Sequence, residues 1–190
     1  MSTCSYQGFE YFVTWVDDKS RKVSVHGLCL KSEVKQALKT FVSCAKVETG
    51  MVVQTLHSDG GGEYTAKDVQ KYLAEKGIKH ELTTPDTPQH NGVAEHMNRT
   101  LLDKVRAMLL DANLPESYWF DALQYAVHIH NVTPACALTD QTSEEAWSGN
   151  KPNISSLRVF GSWAFIHIPA NQCTKLGAKS LECTFLGYAP

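Results

Sequence analysis

The pattern that most limits the fold of this chain is a regular change in the period of its apolar residues. Residues 9–16 and 22–30 are β-rich, with Val23 and Val25 alternating with polar neighbours, and Asp17-Asp18-Lys19-Ser20-Arg21 lies between them. Two strands joined by a tight polar turn are expected there. The period then changes to that of a helix: Val34, Ala37, Leu38, Phe41, Val42 and Ala45 share one face, and Gly50 closes the segment. A strand follows over 51–57, and a helix over about 66–76 is expected to be capped by Thr65 and ended by Gly77. A short strand over 78–82 comes next. Strand, strand, helix, strand, helix, strand, helix is an α/β order.

Two carboxylates stand out in this frame. Asp59 follows the run Met51-Val52-Val53-Gln54-Thr55-Leu56 and precedes Gly60-Gly61-Gly62, so it sits at a strand end where the chain can turn without a side-chain clash. Glu95 opens an amphipathic segment whose apolar positions Ala94, Met97, Leu101, Val105, Met108 and Ala112 recur at helical spacing. Asn98 and Arg99, three and four residues on, share a face with Glu95. Such a face suits a cation and a phosphate side by side.

Ser58-Asp59-Gly60-Gly61-Gly62-Glu63-Tyr64, followed by Thr84-Pro85-Asp86-Thr87-Pro88-Gln89-His90-Asn91-Gly92-Val93-Ala94-Glu95-His96-Met97-Asn98-Arg99, resembles the integrase core of copia-type retrotransposons. Between Asp59 and Glu95 lie 35 residues, the spacing of that family's second and third acidic residues. The resemblance runs from about Phe9 to Tyr188. It implies a ribonuclease H-like α/β core, a mixed sheet flanked by helices, over residues 1–150. It also implies the start of a small all-β SH3-like piece over 151–190. The loop over 83–91 would lie over the site. The implied activity is DNA integration by polynucleotidyl transfer, with Asp59 and Glu95 as catalytic and metal-binding residues for Mg2+ or Mn2+. Asn98, Arg99 and Arg106 would meet nucleic acid. DNA is the implied partner, with a possible homo-oligomer, and the nucleus the implied location.

The family's first acid belongs on a strand upstream of 9–16, and Met1 to Gly8 carry no acid. The sequence therefore reads as a core lacking its first strand, with two of three metal ligands, and the chain is expected to be inactive alone and to bind metal weakly if at all. Asp17 and Asp18 read as turn residues. Gly60 stands where the family usually has asparagine and His96 where arginine is usual. The competing expectation is a noncatalytic nucleic-acid- or protein-binding module that keeps the fold.

Composition bounds these readings. The chain has 190 residues, enough for a sizeable core, and a net charge of −2, which argues against a strong general affinity for DNA. Any basic face must be local, and Lys19, Arg21 and Lys22 or Arg99, Lys104 and Arg106 are the candidates. Six cysteines form no Cys-x-x-Cys and no zinc spacing, so reduced thiols in an intracellular protein are expected. No apolar run reaches the roughly 20 residues of a membrane span, and the N-terminus has no basic region before an apolar one, so no secretory signal is expected. Pro115 is expected to open a helix with Tyr118, Trp119, Ala122, Tyr125, Ala126 and Ile129 on its apolar stripe, and His128 and His130 on polar surface or at a capped end. Beyond Gly149-Asn150-Lys151-Pro152, residues 157–169 and 181–188 are β in character.

Overall fold

The computed structural model describes residues 1–83, 88–135 and 137–188, and of 88–91 and 170 the backbone only. Most of the expected loop over 83–91, residue Cys136 and the last two residues therefore lie outside the description.

Strands β1 (Tyr11–Val16) and β2 (Val23–Leu28) form an antiparallel pair, with Val16 opposite Val23 and Tyr11 opposite Leu28. The turn between them is built by Asp17, whose Oδ2 accepts from the Ser20 amide and hydroxyl, both at 2.7 Å. Asp18 pairs with Arg21 at 2.9 Å. Helix α1 (Val34–Thr49) ends at Gly50, whose φ of +70° is the left-handed conformation that glycine adopts without a Cβ clash. Strand β3 (Thr55–Ser58) pairs in parallel with β4 (Lys79–Leu82), and helices α2 (Gly62–Thr65) and α3 (Lys67–Lys76) make the crossover that a parallel pair requires.

The long helix α4 (Pro88–Asp111) starts seven residues before Glu95, so its first turns occupy sequence that reads as loop. Proline is tolerated at a helix start, where its missing N–H has no intrahelical partner to lose. Helices α5 (Trp119–Val132) and α6 (Ser143–Ser148) follow, the latter capped by Thr142, whose Oγ1 accepts from the Glu145 amide at 3.1 Å. Strands β5 (Trp163–His167) and β6 (Ser180–Thr184) pair antiparallel with each other alone among the described residues. Thr65 is not a cap. It lies inside α2, and its hydroxyl donates back to the Gly61 carbonyl at 3.3 Å.

The period-two alternation of β1 divides the core. Val13 and Trp15 join Leu28, Leu38, Leu56, Val69 and Leu73 between the strands and α1 and α3. Phe12 and Val16 face the other way, onto Leu101, Val105, Trp119 and Leu123 of α4 and α5. Helices thus cover both faces of β1–β2, a layered α/β architecture. Leu38, Leu73, Leu101 and Leu123 are almost wholly buried, each contributing about 1.5–3 kcal/mol. The two strand pairs are not hydrogen-bonded to each other among the described residues, where one mixed sheet is expected. They are joined through side chains instead, since Val13, Trp15 and Leu56 share one cluster.

Long-range polar contacts complete the packing. Asn131 on α5 accepts from the Val23 amide at 2.9 Å and donates to the Val23 carbonyl at 2.8 Å, in a buried setting. Lys22 reaches Glu144 at 2.9 Å and Glu48 at 3.7 Å, while the Trp147 indole donates to Glu48 at 2.7 Å, tying α6 to the end of α1. Phe160, near the start of the C-terminal segment, is buried in the α4–α5 cluster, and Tyr125 donates to the Arg158 carbonyl. No helix is long and apolar enough to cross a membrane among the described residues.

Candidate metal and nucleic-acid site

Strand β3 delivers Asp59 to solvent at its C-terminal end, as the sequence predicts. The Gly61 amide donates to Asp59 Oδ1 at 3.2 Å. A Cβ built on Gly61 would lie 2.9 Å from Asp59 Oδ1 and 3.0 Å from Glu63 Oε2, so two carboxylate oxygens close on the same point. Glu63 therefore lies beside Asp59 at this turn. In the sequence it stands within the Ser58–Tyr64 motif with no signal that marks it as a site residue. Their charges reach Tyr64, whose hydroxyl is pushed up to about 12, first by burial and then by Asp59 and Glu63.

Behind Asp59 lies a chain of hydrogen bonds. Gln70 Nε2 donates to the Tyr64 carbonyl at 2.9 Å and meets His80 Nδ1 at 2.7 Å; His80 Nε2 meets Ser58 Oγ at 2.9 Å; Ser58 Oγ donates to the Asp59 carbonyl at 3.0 Å. Burial lowers the His80 pKa, which favours the neutral ring this chain requires.

Helix α4 carries the remaining expected residues. Glu95 and Arg99 are exposed on it, and Asn98 is half-buried with its Oδ1 wholly covered and unpartnered among the described groups. Met97, Leu101 and Val105 face the core; Glu95 and Arg99 lie on the outward side, while Asn98 sits at the edge of the core-facing side. Arg106 is exposed and pairs with Asp103 at 3.1 Å, an exposed contact of small energetic weight. The other candidate basic group is engaged elsewhere: Arg21 with Asp18, and Lys22 with Glu144 and Glu48. Asp17 is committed to its turn. His128 and His130 are partly buried rather than surface groups, His128 lying 4.9 Å from the Tyr188 ring, and burial lowers both pKa values.

The donors around Asp59 are carboxylate oxygens, the chemistry that a hard divalent cation prefers. Among the described residues no three His, Cys, Asp or Glu side chains are grouped to hold a metal. The set fits one hydrated cation, not an all-protein cage.

The strand pairs and covering helices resemble in fold the catalytic cores of retroviral integrases. The fold matches the magnesium-bound HTLV-2 integrase catalytic core domain in its trimeric form with a TM-score of 0.56, at 21% identity, over 75% of this chain and 88% of that one. It also matches a chain of the simian T-cell lymphotropic virus intasome bound to the PP2A regulatory subunit B56 gamma, with a TM-score of 0.61 at 21% identity, over 94% of this chain and 62% of that one. In sequence, residues 2–88 match the integrase core domain family. The retrovirus-related Pol polyprotein from transposon TNT 1-94 of Nicotiana tabacum is 46% identical over 184 residues, and that from transposon RE1 of Arabidopsis thaliana is 34% identical over 186. Each alignment covers 97% of this chain but only 14% and 12% of those polyproteins. The chain is thus similar over nearly its whole length to a stretch of retrotransposon Pol polyproteins, and its residues 2–88 match the integrase core domain family.

Proposed function

We propose that the chain serves DNA integration as the core of a copia-type retrotransposon integrase, with Asp59 and Glu95 holding a divalent cation, Mg2+ or Mn2+. The observation that carries this reading is Asp59 at the open end of β3, with Glu63 closing on the same glycine turn and a 46% identical Pol polyprotein aligned across nearly the whole chain. Such an ion supplies charge neutralisation and activation of an attacking hydroxyl in phosphodiester chemistry. The protein's own part is to fix Asp59 through the Ser58 and Gly61 contacts and to present Arg99 and Asn98 to a phosphate beside it. Arg106 lies further along the same helix, where a backbone phosphate can compete with its weak bond to Asp103. Residues 1–150 form the core in this reading and 151–190 the start of an SH3-like piece. DNA is the partner, a homo-oligomer the working state and the nucleus the place of action.

Two carboxylates support one ion, so metal-dependent DNA binding is expected of the 190-residue chain and rapid strand transfer is not. A noncatalytic binding module on the same fold is the second reading, favoured by the lack of a three-ligand group among the described residues. Fluorescence anisotropy with a labelled DNA duplex, with and without Mg2+, separates the two. The proposal expects affinity that rises with Mg2+ and drops with Asp59→Asn and with Glu95→Gln. Binding indifferent to the ion and to both substitutions contradicts it and favours the module.

A further inference from the structure

We propose that His80 is a positioning residue for Asp59, acting with Gln70 and Ser58 to hold a carboxylate that a triple-glycine turn would otherwise leave loose. The inference deepens the metal-site reading above and rests on it for its functional meaning.

The proton positions follow from the ends of the chain. The Tyr64 carbonyl can only accept, so the Gln70 atom 2.9 Å from it is the amide nitrogen. That nitrogen is 2.7 Å from His80 Nδ1, which must therefore accept. A neutral imidazole with an accepting Nδ1 carries its proton on Nε2, so His80 donates to Ser58 Oγ at 2.9 Å. Ser58 then has its single hydroxyl proton free for the Asp59 carbonyl at 3.0 Å. Every donor meets an acceptor, and only one tautomer satisfies the set.

The chain links four elements around the turn. His80 lies on β4, Gln70 on α3, Tyr64 on α2 and Ser58 at the end of β3. Gly60, Gly61 and Gly62 connect the last two, and glycine has more backbone freedom to lose than any other residue. Asp59 and Glu63 sit at the two ends of those glycines. Gln70 holds the far end through Tyr64, and His80 holds the near end through Ser58. One side-chain network therefore holds the backbone at both ends of the turn from which the two carboxylates project. Metal ligands oriented by outer hydrogen bonds lose affinity when those bonds are removed.

The test uses the 190-residue chain with two readouts: amide exchange at Gly61, and Mn2+ affinity by electron paramagnetic resonance. His80→Phe keeps an aromatic ring and removes both nitrogens; His80→Gln restores a donor toward Ser58. With His80→Phe, Gly61 is expected to exchange about tenfold faster and Mn2+ to bind about tenfold weaker, with His80→Gln recovering part of each. Ser58→Ala cuts the chain at a half-buried strand end with a smaller loss of side chain and is expected to do the same, so it decides the matter where His80→Phe fails to fold. Gly61 exchange and Mn2+ affinity both within twofold of wild type overturn the proposal. Wild-type protein that binds no Mn2+ refutes the metal reading, and the exchange comparison still decides whether His80 positions Asp59.

Discussion

Asn131→Ala should be among the costliest single substitutions in this chain. The side chain forms a two-way clamp on Val23, accepting from its amide at 2.9 Å and donating to its carbonyl at 2.8 Å. Val23 is 1% exposed and Asn131 6%, so water cannot replace either bond without opening the core. Truncation leaves a buried N–H and a buried C=O unpaired, each costing about 1–3 kcal/mol, or about 2–6 kcal/mol together. The clamp also ties β2 to α5, against which α4 packs, so the loss is felt by the helix that carries Glu95. Urea denaturation followed by tryptophan fluorescence measures it, with an expected drop in midpoint of about 1–3 M for a slope near 2 kcal/mol/M. The slope itself should not change. Asn131→Asp keeps the acceptor but turns a charge toward the Val23 carbonyl, and should be at least as destabilising. A loss under about 0.5 kcal/mol for Asn131→Ala, the size of an ordinary surface change, would refute the reasoning.

Three further outcomes follow from the structure. Burial lowers the pKa of His26, His80, His128 and His130 from 6.5, so the unfolded chain takes up protons first as pH falls. Stability from these groups is complete above about pH 6.5 and declines below it, so the melting temperature should fall from pH 7.5 to 5.5, and a flat or rising profile would be inconsistent with their burial. Gly161 has φ +79°, and a Cβ there would lie 2.2 Å from the Ala112 Cβ, so Gly161→Ala should cost about 1–3 kcal/mol and speed proteolysis of the C-terminal segment; unchanged thermal melting and cleavage would count against that packing. Gly61→Ala meets only the ends of the Asp59 and Glu63 side chains, which can swing aside, so it should leave the melting temperature nearly unchanged while weakening Mn2+ binding measured by calorimetry.

The parts of the fold that were legible in the sequence are those set by local chemistry. The strand–turn–strand of β1 and β2, the glycine stop of α1 and the apolar stripe of α5 follow from periodicity and turn residues alone. Asp59 was legible as a strand-end acid because an apolar run precedes it and glycines follow. The start of α4 was not, because residues 88–91, opening on Pro88, read as loop while the helix already runs through them. The separate pairing of β1–β2 and β3–β4 was hidden as well, since pairing depends on partners distant in sequence. Glu63 and His80 were missed for related reasons. Glu63 joins Asp59 only because the glycine turn folds back, and His80 reaches Ser58 across 22 residues of chain. Lys22 looked like free basic charge until Glu144 and Glu48 were seen beside it.

The sharing of one divalent ion by Asp59 and Glu95 is tested most directly by locating Mn2+ through its anomalous scattering in crystals of the 190-residue chain. The account predicts one ion about 2.1 Å from an oxygen of Asp59 and from an oxygen of Glu95, the rest of its shell being largely water. An ion bound away from Asp59, or Glu95 held on a face that Asp59 cannot reach, would contradict it.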